Sequence, residues 1–409
     1  MNILFIHQGF AGQYKYIIRE LAKNKDNRIV GLGVNPLREK LPNNVQYYQY
    51  NINRGNTPGI HEWLLDIDSK QIRAEACAKA AWQLKEMGFE PNIICAHPGW
   101  GEALLIKQVW EDVPLLCYQE FFYNTRGFDH RFDKREKEEN NWGRDARIIF
   151  KQANPLIMLE QSDWNITPTE FQRSSFPSVY KNKFSVIHDG VDMETIEKAS
   201  KKKKIEFKDS IIYENDKVVT FVNRNIEPYR GCETMIKAVP GILAIDKNVK
   251  VVIVGNEEGV SYGKANEGES WKKRFMREIE GKYEKDRLIF TGSIGYEEYL
   301  RVLKMSSCHV YLTYPFVLSW SMLEAMSIGL PVIGSNTEPV LEVIENEKNG
   351  IITDFFDENE LAKNVERVIN DGELRRHIGK NSKITIEQRY SLKKCLPKQI
   401  ALINLLSSL

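Results

Sequence analysis

The chain has 409 residues, with 57 Lys and Arg against 56 Asp and Glu, 42% hydrophobic and 28% charged. That length predicts two domains, each with its own core. The net charge of +1 argues against a protein whose affinity comes mainly from phosphate backbones, so no nucleic-acid partner is expected. No apolar run approaches the roughly 20 residues that cross a bilayer, and the amino terminus from Met1 to His7 reads as a strand rather than a signal peptide. The cysteines (Cys77, Cys95, Cys117, Cys232, Cys308, Cys395) are scattered without a CxxC pair, which predicts no disulfide framework or zinc site and a cytoplasmic location.

In chain order, short β-branched runs alternate with longer amphipathic stretches, the pattern of α/β architecture with parallel sheets. Strands are expected at Ile3–His7, Arg28–Val34, Ile93–Ala96, Leu115–Tyr118, Asn165–Thr167 and Phe184–His188, with helices at Tyr14–Asn24, Ser69–Met87, Ala103–Val109, Asp145–Gln161 and Glu170–Phe176. A second series begins near Val218. Its strands are Val218–Val222, Val251–Val254, Leu288–Phe290, His309–Leu312, Val332–Gly334 and Ile351–Thr353. Its helices are Cys232–Leu243, Trp271–Lys282, Glu297–Met305, Ser321–Ile328 and Glu358–Asn370. Two βα series imply two facing, doubly wound Rossmann-like domains, spanning 1–190 and 191–387, with a terminal helix within 388–409 that crosses back to the first.

Three charged segments have bland readings. The run Lys201 to Lys204 reads as a solvated loop. Asp66-Ile67-Asp68 has the form of a metal-binding DxD motif, yet acidic residues are favoured at a helix start, and no metal is expected. Thr125 to Arg144, which mixes Arg126, Arg131, Lys134 and Arg135 with Phe128, Phe132 and Trp142, is either a surface loop or a flap that meets an acceptor or an anionic membrane.

Chemistry concentrates at the ends of the second series' strands. Val218–Val222 runs into Asn223-Arg224-Asn225-Ile226-Glu227-Pro228-Tyr229-Arg230-Gly231 and then a helix. Parallel sheets bind ligands outside the carboxyl ends of their strands, and two guanidiniums there suit bidentate capture of a diphosphate. Arg224 pairing with Glu227 on the surface is the structural alternative. Further on, Tyr314-Pro315-Phe316-Val317-Leu318-Ser319-Trp320-Ser321-Met322-Leu323-Glu324 carries a loop straight into a helix start, an anion site by its free amides and dipole. Glu324, one turn in, is a candidate to meet ribose hydroxyls, with a capped surface helix as the structural alternative.

These residues resemble family 4 (GT4) retaining glycosyltransferases of the GT-B fold, and the resemblance spans nearly the whole chain. Arg224 to Gly231 resembles the family's Arg…Lys-Gly diphosphate motif, with Arg230 where lysine is usual. Leu323 to Val332 resembles the Leu-Glu-Ala-Met segment, which makes Glu324 the second glutamate of E-x7-E and implies ribose binding. The first glutamate, which touches the donor sugar in the family, is Phe316 here, and Val317 and Ser319 replace the usual glycines. Gly292, in Leu288 to Gly292, resembles the turn that holds the nucleobase, and Gly12, in Phe10-Ala11-Gly12, the Gly-rich loop near the phosphates. His97 falls where the family has an active-site histidine, with a structural role at a strand end as the alternative, and His188 to Asp192 resembles the interdomain hinge. Glu120, just past a strand end, is a candidate to orient the acceptor hydroxyl, with capping or packing as the alternative.

The resemblance implies a metal-independent enzyme that moves a sugar from a nucleotide-diphosphate donor to a glycan or lipid-linked acceptor, with retention and without a cofactor. Catalytic candidates are His97, Arg224, Arg230 and Glu120. Donor contacts are expected from Gly12, Gly292, Phe316, Ser319, Trp320, Ser321, Met322 and Glu324. Cell-surface polysaccharide synthesis (lipopolysaccharide or capsule), with peripheral association at the inner membrane face, is the implied setting. A nucleotide-sugar epimerase of the same architecture and a silent nucleotide-sugar-binding protein are the rivals.

Overall fold

A computed structural model describes residues 1–37, 40–135, 142–208, 210–263 and 265–408. The described chain forms two compact units, Met1–Asp189 together with Cys395–Leu409, and Gly190–Lys394.

The first unit runs β1 (Asn2–Ile6), α1 (Lys15–Leu21), β2 (Arg28–Gly33), β3 (Val45–Gln49), α2 (Leu65–Glu86), β4 (Ile93–Ala96), α3 (Ile106–Val109) and β5 (Leu115–Tyr118). It continues with α4 (Trp142–Lys151), α5 (Ala153–Gln161), β6 (Trp164–Thr167), α6 (Glu170–Ser174) and β7 (Phe184–Val186). The seven strands form a parallel sheet in the order β3-β2-β1-β4-β5-β6-β7. Side chains along β1 alternate between two cores. Leu4 and Ile6 pack with Cys77, Ala81 and Leu84 of α2. Ile3 and Phe5 pack with Ile17, Ile18 and Leu21 of α1 on the opposite face.

The second unit runs α7 (Met193–Lys198), β8 (Lys204–Phe207), β9 (Ser210–Tyr213), β10 (Lys217–Asn225), α8 (Cys232–Leu243), β11 (Val249–Asn256), α9 (Trp271–Glu278), β12 (Leu288–Gly292) and α10 (Tyr296–Met305). Then follow β13 (Ser306–Tyr311), α11 (Trp320–Ile328), β14 (Val332–Ser335), α12 (Glu338–Leu341), β15 (Ile351–Thr353), α13 (Glu358–Asn370) and α14 (Gly372–Thr385). Its six-stranded parallel sheet has the order β12-β11-β10-β13-β14-β15. The terminal helix α15 (Leu392–Leu406) seats Ile403 and Leu406 in the α1-side core of the first unit.

The structure corrects the expected elements at points where periodicity is weak. The edge strand β3 was not expected, because its mixed sequence Val45-Gln46-Tyr47-Tyr48-Gln49 pairs only with β2. The helix expected over Asp145–Gln161 is two helices, α4 and α5. Pro155 has no N–H to bond the Lys151 carbonyl, and its ring crowds that carbonyl. The lysine run is not wholly a loop, since Lys204 opens an antiparallel hairpin with β9 in which Ile205 faces Ile212. Asp68 holds the Thr57 amide at 2.7 Å and Asp66 pairs with Lys70 at 2.8 Å, so both acids of the DxD sequence have structural partners. Within the charged segment from Thr125 to Arg144, positions 136–141 lie outside the described residues. All six cysteines are free and buried. Among the described residues no helix is long and apolar enough to cross a membrane.

Candidate active site

In both sheets the strand order reverses beside the first strand of its series, at β1/β4 and at β10/β13. The crevice at such a reversal is where open α/β sheets receive ligands. The chemistry-bearing residues gather at these two places, each within its own unit.

In the first unit His7 follows β1 and His97 follows β4. His97 is buried, stacked between Trp100 at 4.3 Å and Tyr118 at 5.6 Å, with His7 edge-on at 5.3 Å. Its Nδ1 accepts the Gly99 amide at 3.3 Å, so the ring proton sits on Nε2. Nε2 lies 3.7 Å from Oε2 of Glu120, whose side chain is 40% exposed just past β5. Burial pushes the Glu120 carboxyl up, and the pull of His97, His7 and Gln13 outweighs it, holding the group below the ordinary carboxylate range. Glu120 and His97 thus stand together, as their positions after neighbouring strands require.

Gly12 takes a left-handed backbone conformation, φ +52°, and a Cβ there would lie 2.3 Å from the His7 ring. The residue is glycine because the imidazole occupies the space of its missing side chain, a reason distinct from the expected approach to phosphates.

In the second unit Arg224 is exposed at the end of β10, and its side chain makes no hydrogen bond or ion pair with the described residues. Glu227 forms no ion pair with it, although the two charges attract. That carboxylate is buried and accepts the amides of Ser261 and Tyr262 at 2.7 and 3.0 Å, and burial pushes its pKa up against those bonds. Arg230, expected at the diphosphate, turns inward. Its guanidinium is buried, and Nη1 donates to Thr313 Oγ1 at 2.7 Å, the Val317 carbonyl at 2.8 Å and the Tyr311 hydroxyl at 3.2 Å. It therefore shapes the loop between β13 and α11. Gly231 beside it has φ +69°, and a Cβ there would meet Leu312 at 2.3 Å.

Phe316, expected among the donor contacts, is a packed residue. Its ring is 3% exposed and packs against Tyr262 at 5.0 Å and Tyr229 at 5.2 Å, over the Arg230 guanidinium at 5.6 Å. An apolar ring in an aromatic cluster cannot supply the sugar-hydroxyl contact of the glutamate it replaces. The Met322 side chain is likewise wholly buried, in the core shared by Leu323 and Met326, and only its backbone belongs to the helix start.

Ser319 caps α11, its Oγ accepting the Ser321 amide at 3.4 Å while its own amide donates to Tyr311 at 2.7 Å. Trp320 is half-exposed and Ser321 is buried at that end. Glu324 lies one turn in, its Oε1 accepting the Tyr296 hydroxyl at 2.8 Å and its Oε2 the Tyr299 hydroxyl at 2.7 Å. Burial raises its pKa, and the two tyrosine hydroxyls act against that rise. Gly292 closes β12 with φ +64° and open space where a Cβ would be. Sequence reasoning missed His7, Gln13, Tyr296 and Tyr299. Only the position of His7 at the end of the first strand could have flagged one of them.

Comparisons with known proteins agree with this geometry. Residues 25–196 match the model described as Glycosyl transferase family 4 group, and residues 202–385 that of Glycosyl transferases group 1. An uncharacterised glycosyltransferase of Methanocaldococcus jannaschii is 26% identical over 250 residues, 61% of this chain and 58% of that protein. Spore coat protein SA of Bacillus subtilis is 26% identical over 346 residues, 82% of each chain. The crystal structure of Anabaena HepE in complex with UDP-glucose superposes with a TM-score of 0.66 at 17% identity, covering 100% of both chains. With family models matching both of its halves, the chain belongs to the family 4 glycosyltransferases and has the GT-B fold.

Proposed function

We propose that the protein transfers a sugar from a nucleoside diphosphate donor to a hydroxyl of a glycan or lipid-linked acceptor, with retention at the anomeric carbon. The observation that carries this reading is the end of the β10/β13 pair. There an exposed, unpaired Arg224, the capped start of α11 and the Glu324 carboxylate one turn in belong to one sheet edge. The UDP-glucose bound in HepE is consistent with a nucleotide-sugar donor.

In the transfer, the bond from the anomeric carbon to the leaving phosphate oxygen breaks and a bond to the acceptor oxygen forms on the same face. The acceptor proton passes to the departing diphosphate. Positive charge gathers on the sugar and negative charge on the leaving group. Arg224 and the amides at the start of α11 meet the latter, so no metal is needed for that purpose. Glu324 accepts ribose hydroxyls in place of a tyrosine. In the first unit, His97 and Glu120 offer a donor and an acceptor to a hydroxyl. A role in cell-surface polysaccharide synthesis at the cytoplasmic face of the membrane fits this chemistry.

Proton NMR of the product made from a nucleotide sugar and a glycan acceptor tests the reaction. Release of nucleoside diphosphate with a new glycosidic bond of the donor's anomeric configuration is expected. A product sugar inverted at one ring carbon, formed without acceptor, identifies an epimerase instead. The burial of Phe316 favours one other reading, a nucleotide-sugar-binding protein without turnover, and tight binding with no product from any donor identifies it.

A further inference from the structure

Two polar residues of the first unit, His7 and Gln13, have no part in the proposed transfer, yet they touch Glu120 through an unbroken chain of hydrogen bonds. The Gly9 amide donates to His7 Nδ1 at 3.0 Å. An amide N–H can only donate, so Nδ1 carries no proton and Nε2 does. His7 Nε2 therefore donates to Gln13 Oε1, 2.7 Å away, which fixes the orientation of the Gln13 amide. Its NH2 then points to Glu120 and donates to Oε1 at 3.1 Å. Every donor and acceptor in the chain is determined by the one before it, and the last member is an anion.

The rings are built in. A Cβ on Gly12 would lie 2.3 Å from the His7 ring, and one on Gly99 would lie 2.8 Å from the His97 ring. Both imidazoles thus fill space left by a glycine. His97 Nε2 is buried and has no hydrogen-bond partner, and it faces Glu120 Oε2 across 3.7 Å. That gap is too long for a direct bond. A hydroxyl set against both would accept from the imidazole N–H and donate to the carboxylate, which is what a sugar hydroxyl can do and a purely accepting group cannot.

We infer that His7 and Gln13 are positioning residues, which fix Glu120 as an oriented carboxylate that receives a sugar hydroxyl together with His97. The inference rests on the glycosyl-transfer reading for the identity of the hydroxyl. The relay itself does not depend on that reading. Other charged groups near the histidines are Arg73 and Glu102, 3.6 Å apart, and they are left unchanged in every variant.

NMR on the full chain tests the relay without any substrate. With 15N-histidine labelling, His7 is expected as the Nε2–H tautomer at pH 7. With 13C-carboxyl glutamate labelling, and Glu120→Gln to assign the signal, the Glu120 midpoint is followed with pH. Gln13→Glu places a second carboxylate against Glu120 and is expected to raise that midpoint by about one pH unit or more. Gln13→Met, which removes the donor without adding charge, is expected to raise it by less and serves if Gln13→Glu does not fold. An unchanged midpoint in a folded variant, or His7 in the Nδ1–H form, overturns the relay. Where transfer is measurable, Gln13→Glu is expected to move the acid limb of kcat/KM for the acceptor by the same amount and leave nucleotide affinity as it was. A limb that stays in place overturns the assigned role of Glu120. Absence of transfer with every donor counts against the glycosyl-transfer reading, while the relay still stands or falls on the NMR midpoints and the His7 tautomer.

Discussion

The imidazole of His7 occupies the space of the side chain that Gly12 lacks, 2.3 Å from where its Cβ would be. Gly12→Ala must therefore displace the ring and also strain a backbone at φ +52°. A loss of about 1–3 kcal/mol is expected in urea unfolding, accompanied by a changed His7 imidazole signal. Unaltered stability and an unaltered signal contradict the packing described.

The two arginines of the β10 loop separate into different roles. Arg230→Ala removes three hydrogen bonds from a buried guanidinium, and a cost of roughly 2–4 kcal/mol is expected. Arg224→Ala is expected to leave the melting temperature within experimental error and to reduce turnover by orders of magnitude. Calorimetric melting of both variants checks the contrast, and equal melting temperatures for the two refute it.

Restoring the family glutamate by Phe316→Glu is expected to destabilise rather than repair. The new carboxylate would be buried against Tyr229 and Tyr262, although Arg230 lies beneath. A loss of about 1–3 kcal/mol follows from desolvation imperfectly offset by that charge. A gain in melting temperature shows the site to be more polar than its aromatic walls suggest.

Acid weakens the fold through two histidines buried in the neutral form. Burial, helped by His97, lowers His7 to about 4, and burial lowers His309 to about 3. Between those values and the unfolded value near 6.5 the unfolded chain binds more protons, so stability falls as pH drops through that window. His7 alone contributes on the order of 3 kcal/mol over its range. The burial-raised carboxyls of Glu227 and Glu324 act in the opposite sense. His7→Gln is expected to flatten the decline in unfolding free energy between pH 6.5 and 4. An unchanged slope assigns the decline to other groups.

Much of the fold was legible because parallel strands buried on both faces are nearly continuous apolar runs. Ile93–Ala96, Leu115–Tyr118 and Ile351–Thr353 stand where the sequence places them. The edge strand β3 and the hairpin β8–β9 were not legible, since their residues are half-solvated and alternate poorly. At the candidate site, motif spacing located Arg224, Ser319 and Glu324 at one sheet edge. It could not show that Arg230 points inward or that Phe316 is packed, because both depend on Thr313, Tyr262 and Val317 closing around them. The relay through His7 and Gln13 was invisible for a similar reason, as Gln13 and Glu120 are 107 positions apart.

The most direct measurement is calorimetric titration of the full chain with UDP, GDP, ADP, TDP and CMP, repeated on Arg224→Ala. Saturable binding of at least one nucleoside diphosphate, weakened tenfold or more by the substitution (about 1.4 kcal/mol), is the result expected of a donor site at the start of α11. No binding of any diphosphate, or binding that Arg224→Ala leaves unchanged, contradicts that assignment.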